Sequence, residues 1–118
     1  QVTEVAAKAF LNHKKADSIQ VGKNVEKIGA QAFSNCPALK KAVIRSTRLT
    51  EIGGKAFYKD KNLKSIEIKS KKLKKVGKNA FKGTAAKLKL IIPKKKYAAY
   101  KKLLAKKGQS KAASIKKK

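Results

Sequence analysis

The chain has 118 residues, a length that suits one domain, and its single cysteine, Cys36, excludes an intramolecular disulfide. Hydrophobic residues make up 42% of the sequence, which excludes a wholly disordered chain. Lys and Arg number 33 against 6 Asp and Glu, and a net charge of +27 is typical of proteins that meet an anionic partner.

Residues 2–93 contain four Ala-Phe pairs, which include every phenylalanine of the chain. The phenylalanines are 23, 24 and 24 residues apart, and apolar residues keep the same offsets from each of them. A fixed period of about 20 to 29 residues indicates a solenoid of stacked units. The predicted stacked core consists of Phe10, Phe33, Phe57, Phe81, Ile28, Ile52, Val76, Ile44, Ile68 and Ile92.

The pattern of apolar residues in each unit predicts one short helix followed by one short strand. Residues 28–39 place their apolar side chains at the spacing of one helix face. Residues 65–68, with the sequence SIEI, alternate polar and apolar side chains as a half-buried strand does. We therefore expect about four α/β units of 23–24 residues over residues 1–93.

A capping helix is predicted over residues 94–108, because Pro93 and Gly108 are start and stop signals for a helix. Three side chains share the face that would dock on the last repeat: Tyr97, Tyr100 and Leu104. A solenoid needs such a terminal cap. Residues 109–118 are expected to form a flexible basic tail.

At its amino-terminal end the chain opens inside a repeat, with Val2 already at a core position. An uncapped solenoid end exposes apolar surface. We therefore expect that the repeat region is truncated at this end and that the chain is part of a longer one.

Two motifs connect the repeat to a known family. The string Leu63-x-x-Ile66-x-Ile68 matches the L-x-x-L-x-L core of leucine-rich repeats. Residues 28–39 read IGAQAFSNCPAL and resemble the BspA-type leucine-rich repeat of bacterial cell-surface proteins, whose motif is I-G-x-x-A-F-x-x-C-x-x-L. The resemblance covers residues 2–93. It implies a leucine-rich-repeat solenoid at the cell surface or outside the cell, used for adhesion or for binding a host or bacterial surface protein.

The sequence offers no constellation for catalysis. His13, the only histidine, occupies the repeat position that holds Cys36, Asp60 and Thr84 in the other units, which favours structural roles for these side chains. We therefore expect no enzymatic activity, no catalytic residue, no cofactor and no metal site. No run of about 18 apolar residues predicts a membrane span.

The distribution of charge leaves a second function open. Residues 68–118 contain 20 lysines and no acid. Charge runs are usually solvated surface, but this half could also bind an anionic polymer such as teichoic acid, glycosaminoglycan or nucleic acid without reading its sequence. The candidate contacts are Lys71, Lys72, Lys74, Lys75, Lys94, Lys95, Lys96, Lys101 and Lys102.

The strand residues predicted to point outward are the alternative binding surface. They are mixed in character and include Lys41, Val43, Ser65 and Glu67. Because they contain no aromatic cluster, the sequence does not identify a strong protein-binding site within these four units.

Overall fold

The computed structural model describes residues 3–118, so the core position assigned to Val2 lies outside the described residues. Short strands recur along this range, and one helix lies near its end. The strands are β1 Glu4–Val5, β2 Ser18–Val21, β3 Lys27–Ile28, β4 Lys41–Ile44, β5 Glu51–Ile52, β6 Ser65–Ile68, β7 Lys75–Val76, β8 Lys89–Ile92 and β9 Ser114–Lys117. A 3₁₀ turn, Lys94–Lys96, leads into the helix α1, Tyr97–Leu104.

The strands form two parallel sheets along the sides of a β-solenoid. The short sheet has the order β1-β3-β5-β7, and the long sheet has the order β2-β4-β6-β8-β9. Lys41 pairs with Ser65, and Ser65 pairs with Lys89, because one turn takes about 24 residues. The solenoid has about five turns rather than the four units expected from the repeat.

The segment expected to be a helix in each unit is an arc of turns instead. In the second turn Gln31 and Asn35 have φ angles of +59° and +55°, which lie outside the α-helical region. The Phe33 amide donates to the Ala56 carbonyl of the next turn at 2.9 Å, whereas the Ser34 amide donates back to Gln31 at 3.2 Å. The prediction of one helix per unit is therefore not confirmed: alternate amides join neighbouring turns, and little helix forms.

The interior contains a column of aromatic rings. Phe33 stacks on Phe57 with ring centroids 5.5 Å apart, and Phe57 stacks on Phe81 at 6.2 Å. Phe10 stacks on Phe33 at 5.3 Å, but 48% of Phe10 is exposed. The other nine residues of the predicted core are buried. Packing between turns is close, because a Cβ on Gly53 would lie 2.5 Å from the backbone nitrogen of Ala30.

The carboxyl-terminal residues close the fifth turn. The Tyr100 hydroxyl of α1 donates to the Ser70 carbonyl at 2.7 Å and accepts the Leu73 amide at 3.0 Å, which fixes the helix on the last repeat. We expected residues 109–118 to be a flexible tail, and the structure corrects this. Ser114–Lys117 form the strand β9, because the edge of β8 offers backbone partners in parallel register.

Candidate functional site

The titratable groups of the interior suit packing rather than catalysis. One oxygen of Asp60 accepts the Cys36 amide at 2.7 Å, while its other oxygen has no partner within the described part of the chain. Burial raises the pKa of Asp60 to about 7. Burial, with a smaller contribution from nearby Asp60, raises the pKa of the Cys36 thiol to about 11. The thiol therefore stays protonated at neutral pH, where it is a poor nucleophile.

The remaining ionisable groups do not converge either. The His13 ring is exposed and meets Phe10 edge-on, with ring centroids 6.3 Å apart. Across residues 3–118 no group of three or more His, Cys, Asp or Glu is placed to hold a metal ion. No helix in the described range is long and apolar enough to cross a membrane.

A cavity of about 710 Å³ lies at the first turn of the solenoid. Its walls are mainly apolar and include Phe10, Ile19 and Phe33. The strands β1 and β2, which border it, are the edge strands of their sheets. The cavity is an uncovered part of the stacked core rather than a pocket in which polar groups converge on a ligand.

The long sheet presents an outward face, and its parallel register aligns the side chains in two rows. One row is Ser18, Lys41, Ser65, Lys89 and Ser114, and the other is Gln20, Val43, Glu67, Ile91 and Lys116. Half-buried Val43 and Ile91 flank Glu67, whose carboxylate pairs with Lys118 at 2.9 Å. The centre of this face is therefore apolar with one carboxylate, and its margin is polar or basic, which is the arrangement of a small interface.

The carboxyl ends of the long-sheet strands and the residues just after them carry a line of cations. We call this line the basic edge, and it consists of Arg45, Arg48, Lys69, Lys71, Lys72, Lys94, Lys95, Lys96 and Lys118. All nine side chains are exposed. They come together because the strands β4, β6, β8 and β9 are parallel, so that their carboxyl ends meet at one side of the solenoid.

The lysines predicted from the sequence as polyanion contacts lie in three different parts of the structure. Lys71, Lys72 and Lys94–Lys96 lie on the basic edge. Lys74 and Lys75 lie instead at the short sheet, where Lys75 is the register partner of Glu51. Lys101 and Lys102 are on the last turn of α1.

Four members of the basic edge were not among the sequence-based candidates: Arg45, Arg48, Lys69 and Lys118. The sequence could have revealed two of them, since Lys69 directly follows the predicted strand at residues 65–68 and Arg45 holds the same position one repeat earlier. Lys118 could not be placed in this way, because the strand that precedes it was not predicted.

The comparison with protein families gives one match. The family profile described as the BspA type leucine rich repeat region matches residues 1–107, in six copies. Searches of curated proteins and of solved structures find no match.

Proposed function

We propose that this chain, which belongs to the BspA-type leucine-rich-repeat family, is a non-enzymatic scaffold that binds proteins at a bacterial cell surface. The profile match over residues 1–107 carries the proposal and confirms the resemblance inferred from residues 28–39. Repeats of this family occur in bacterial surface proteins, and they generally bind proteins.

The outward face of the long sheet is the surface that we propose as the contact. Hydrogen bonds between successive turns hold its rows in fixed register, so little conformational entropy is lost when a partner docks. Val43 and Ile91 supply the apolar centre, and Glu67 is the one acid of the two rows, beside three lysines: Lys41, Lys89 and Lys116. Because the face lacks an aromatic anchor, we expect modest affinity.

The proposed partner is a protein on a host or bacterial surface, and the proposed role is adhesion. The test is retention of bacterial or host cells on beads that carry the chain, with excess soluble poly(glycerol phosphate) present to occupy exposed cations, measured before and after protease removes the cells' surface proteins. We expect protease treatment to abolish this retention. Retention that survives protease, or that the soluble polymer alone abolishes, would exclude a protein partner.

A pair of substitutions locates the contact. We expect the double variant Val43→Thr, Ile91→Thr to lose retention, because threonine keeps the β-branch that suits a strand but removes apolar contact area. Lys14→Thr with Lys61→Thr, two exposed residues outside the strands of this face, is the control and should retain cells as the unaltered chain does. Equal loss in both variants, or loss in neither, would exclude this face.

The non-enzymatic part of the proposal rests on the family, which is a scaffold type. Hydrolase and transferase substrate panels test it directly. Turnover that disappears in His13→Ala or Cys36→Ser would contradict it, since these are the only histidine and the only cysteine in this sequence.

A further inference from the structure

We propose that the basic edge binds a linear polyphosphodiester through its phosphate groups, independently of the protein contact on the outward face. The edge follows the axis of the solenoid, so the cations form a line rather than a compact pocket. Its members come from successive turns that are joined by hydrogen bonds between their backbones. A line of cations suits a polymer that presents a regular row of anions.

Backbone contacts join the edge between the second and third turns and between the fourth and fifth turns. The Lys69 amide donates to the Ile44 carbonyl at 3.2 Å, which sets it beside Arg45. The Lys94 amide donates to the Lys118 carbonyl at 3.2 Å, and the Lys118 amide donates to Ile92 at 3.0 Å. Each step therefore separates neighbouring turns by about one strand spacing, ~4.8 Å.

Buried serines fix the backbone of two segments that carry these cations, residues 46–48 and residues 70–72. The Ser70 hydroxyl accepts the Lys72 amide at 3.0 Å and donates to the Leu49 carbonyl of the preceding turn at 2.7 Å. The Ser46 hydroxyl accepts the Arg48 amide at 2.9 Å in the same way. The backbone of the edge is thus fixed before any ligand binds, and only the side chains must be ordered.

The edge carries almost no compensating negative charge. Among the described residues Lys118 forms the one ion pair of the edge, with Glu67, and Arg45 donates to the Gln20 amide oxygen at 3.2 Å. Cations one strand spacing apart lie well within the Debye length of about 8 Å at physiological salt. They therefore repel one another and attract small anions from the solvent. Binding of a polyanion would release these anions, together with the small cations that surround the polyanion.

The short sheet shows that this arrangement is not general to the protein. There the register places Lys27 between Glu4 and Glu51, and Lys75 beside Glu51, so acids and bases alternate along the row. Opposite charges on neighbouring strands favour pairing within the sheet. A polyanion is therefore expected to select the basic edge over this row.

The residue types favour phosphate recognition without base recognition. Seven of the nine cations are lysines, which bind phosphate as mobile point charges. Tyr97, which follows Lys96, is half-buried, and Lys101 and Lys117 lie over its ring, so the ring is occupied by cations rather than free for a base to stack on. The shared ligand chemistry is a phosphodiester backbone, whether it comes from duplex DNA or from a poly(glycerol phosphate) of the teichoic-acid type.

Fluorescence anisotropy with labelled duplex DNA and labelled poly(glycerol phosphate), over a series of salt concentrations, tests the proposal. The edge variant replaces Lys71, Lys72, Lys94 and Lys95 by Gln. The control variant replaces four exposed lysines at the opposite ends of the strands by Gln: Lys14, Lys15, Lys61 and Lys87. Both variants lose four charges, so they differ only in where the charge is removed.

For duplex DNA we expect the slope of log affinity against log salt to fall by up to about 3.6 in the edge variant, since each phosphate contact contributes about 0.9. The control variant should keep the slope of the unaltered chain, and poly(glycerol phosphate) should compete with DNA. Far-UV circular dichroism checks folding. If the edge variant is unfolded, Lys94→Gln with Lys95→Gln should produce about half of the change.

Three results would overturn the proposal. Equal weakening in the edge and control variants would assign binding to net charge. Equally strong competition by polyglutamate, a carboxylate polymer, would remove the preference for phosphodiesters. Absence of binding to both probes at about 0.15 M salt would leave the basic edge as solvated surface.

Discussion

Replacing Asp60 by Asn should remove a pH dependence that the fold imposes on the free energy of unfolding. The Asp60 carboxyl is fully buried and has a single hydrogen bond, from the Cys36 amide. Burial raises its pKa from 3.8 to about 7. Asparagine keeps an oxygen for the Cys36 amide and cannot ionise, so the variant isolates the effect of the charge.

The direction of the effect follows from proton binding. Between about pH 4 and 7 the folded chain keeps the proton on Asp60 while the unfolded chain has released it. Stability is therefore highest below the ordinary pKa and falls as the pH rises towards 7. At 1.36 kcal/mol for each pKa unit, the difference between 3.8 and about 7 corresponds to a loss of about 4 kcal/mol by pH 8.

Urea unfolding followed by far-UV circular dichroism, from pH 4 to pH 8, measures this loss. Subtracting the curve of Asp60→Asn from that of the unaltered chain removes the contributions of other groups, since both proteins contain them. We expect the difference to change by up to about 4 kcal/mol across the range. Asp17→Asn, an exposed control, should follow the unaltered chain. Parallel curves for Asp60→Asn and the unaltered chain would refute an ionisable, buried Asp60.

Three further changes test the stacked core and the fifth turn. Phe57→Ala should cost roughly 3–5 kcal/mol of stability, because its ring is fully buried between two others. Phe10→Ala should cost clearly less, because Phe10 is half exposed, and equal losses in urea unfolding would disprove a column with an open end. Deleting residues 109–118 should lower the urea midpoint, because the deletion removes β9 and uncovers the edge of β8. An unchanged midpoint would show that the fifth turn adds nothing to stability.

The repeat itself could be predicted because its signal is local and recurs. Alternation of polar and apolar residues placed β6, the repeat period placed β2, β4 and β8 but not β9, and the spacing of the phenylalanines placed the core. The period also identified the family, which the profile match confirms. These features depend on which side chains are buried, and burial follows the pattern of apolar residues in the sequence.

The helix in each unit was a wrong expectation because two backbone arrangements produce the same apolar spacing. Residues 28–39 direct their apolar side chains inward, but left-handed φ angles at Gln31 and Asn35 turn the chain into an arc. Nothing in the propensities of the lysines at positions 55 and 59 predicts that they adopt the same angles in the third turn. Hydrogen bonds to the neighbouring turns select this arrangement, and they form only in the assembled stack.

The tail and the basic edge depend on contacts that a single segment does not contain. Residues 114–117 become a strand because β8 presents an open edge to them. The lysine runs were visible in the sequence, but which of them become neighbours is decided by parallel strands ending at the same side. The sequence could therefore indicate which lysines were candidates. The fold decides which of them lie on the basic edge, at the short sheet or on the helix.

Lysine acetylation rates show whether a surface protein binds the outward face of the long sheet. Mass spectrometry would compare the rate at each lysine in the free chain and in the chain bound to cells. We expect slower acetylation at Lys41 and Lys89, which lie on that face, and an unchanged rate at Lys55, which lies on the arc of turns. Protection confined to Lys71 and Lys72, with Lys41 and Lys89 unchanged, would contradict the claim and assign cell binding to the basic edge.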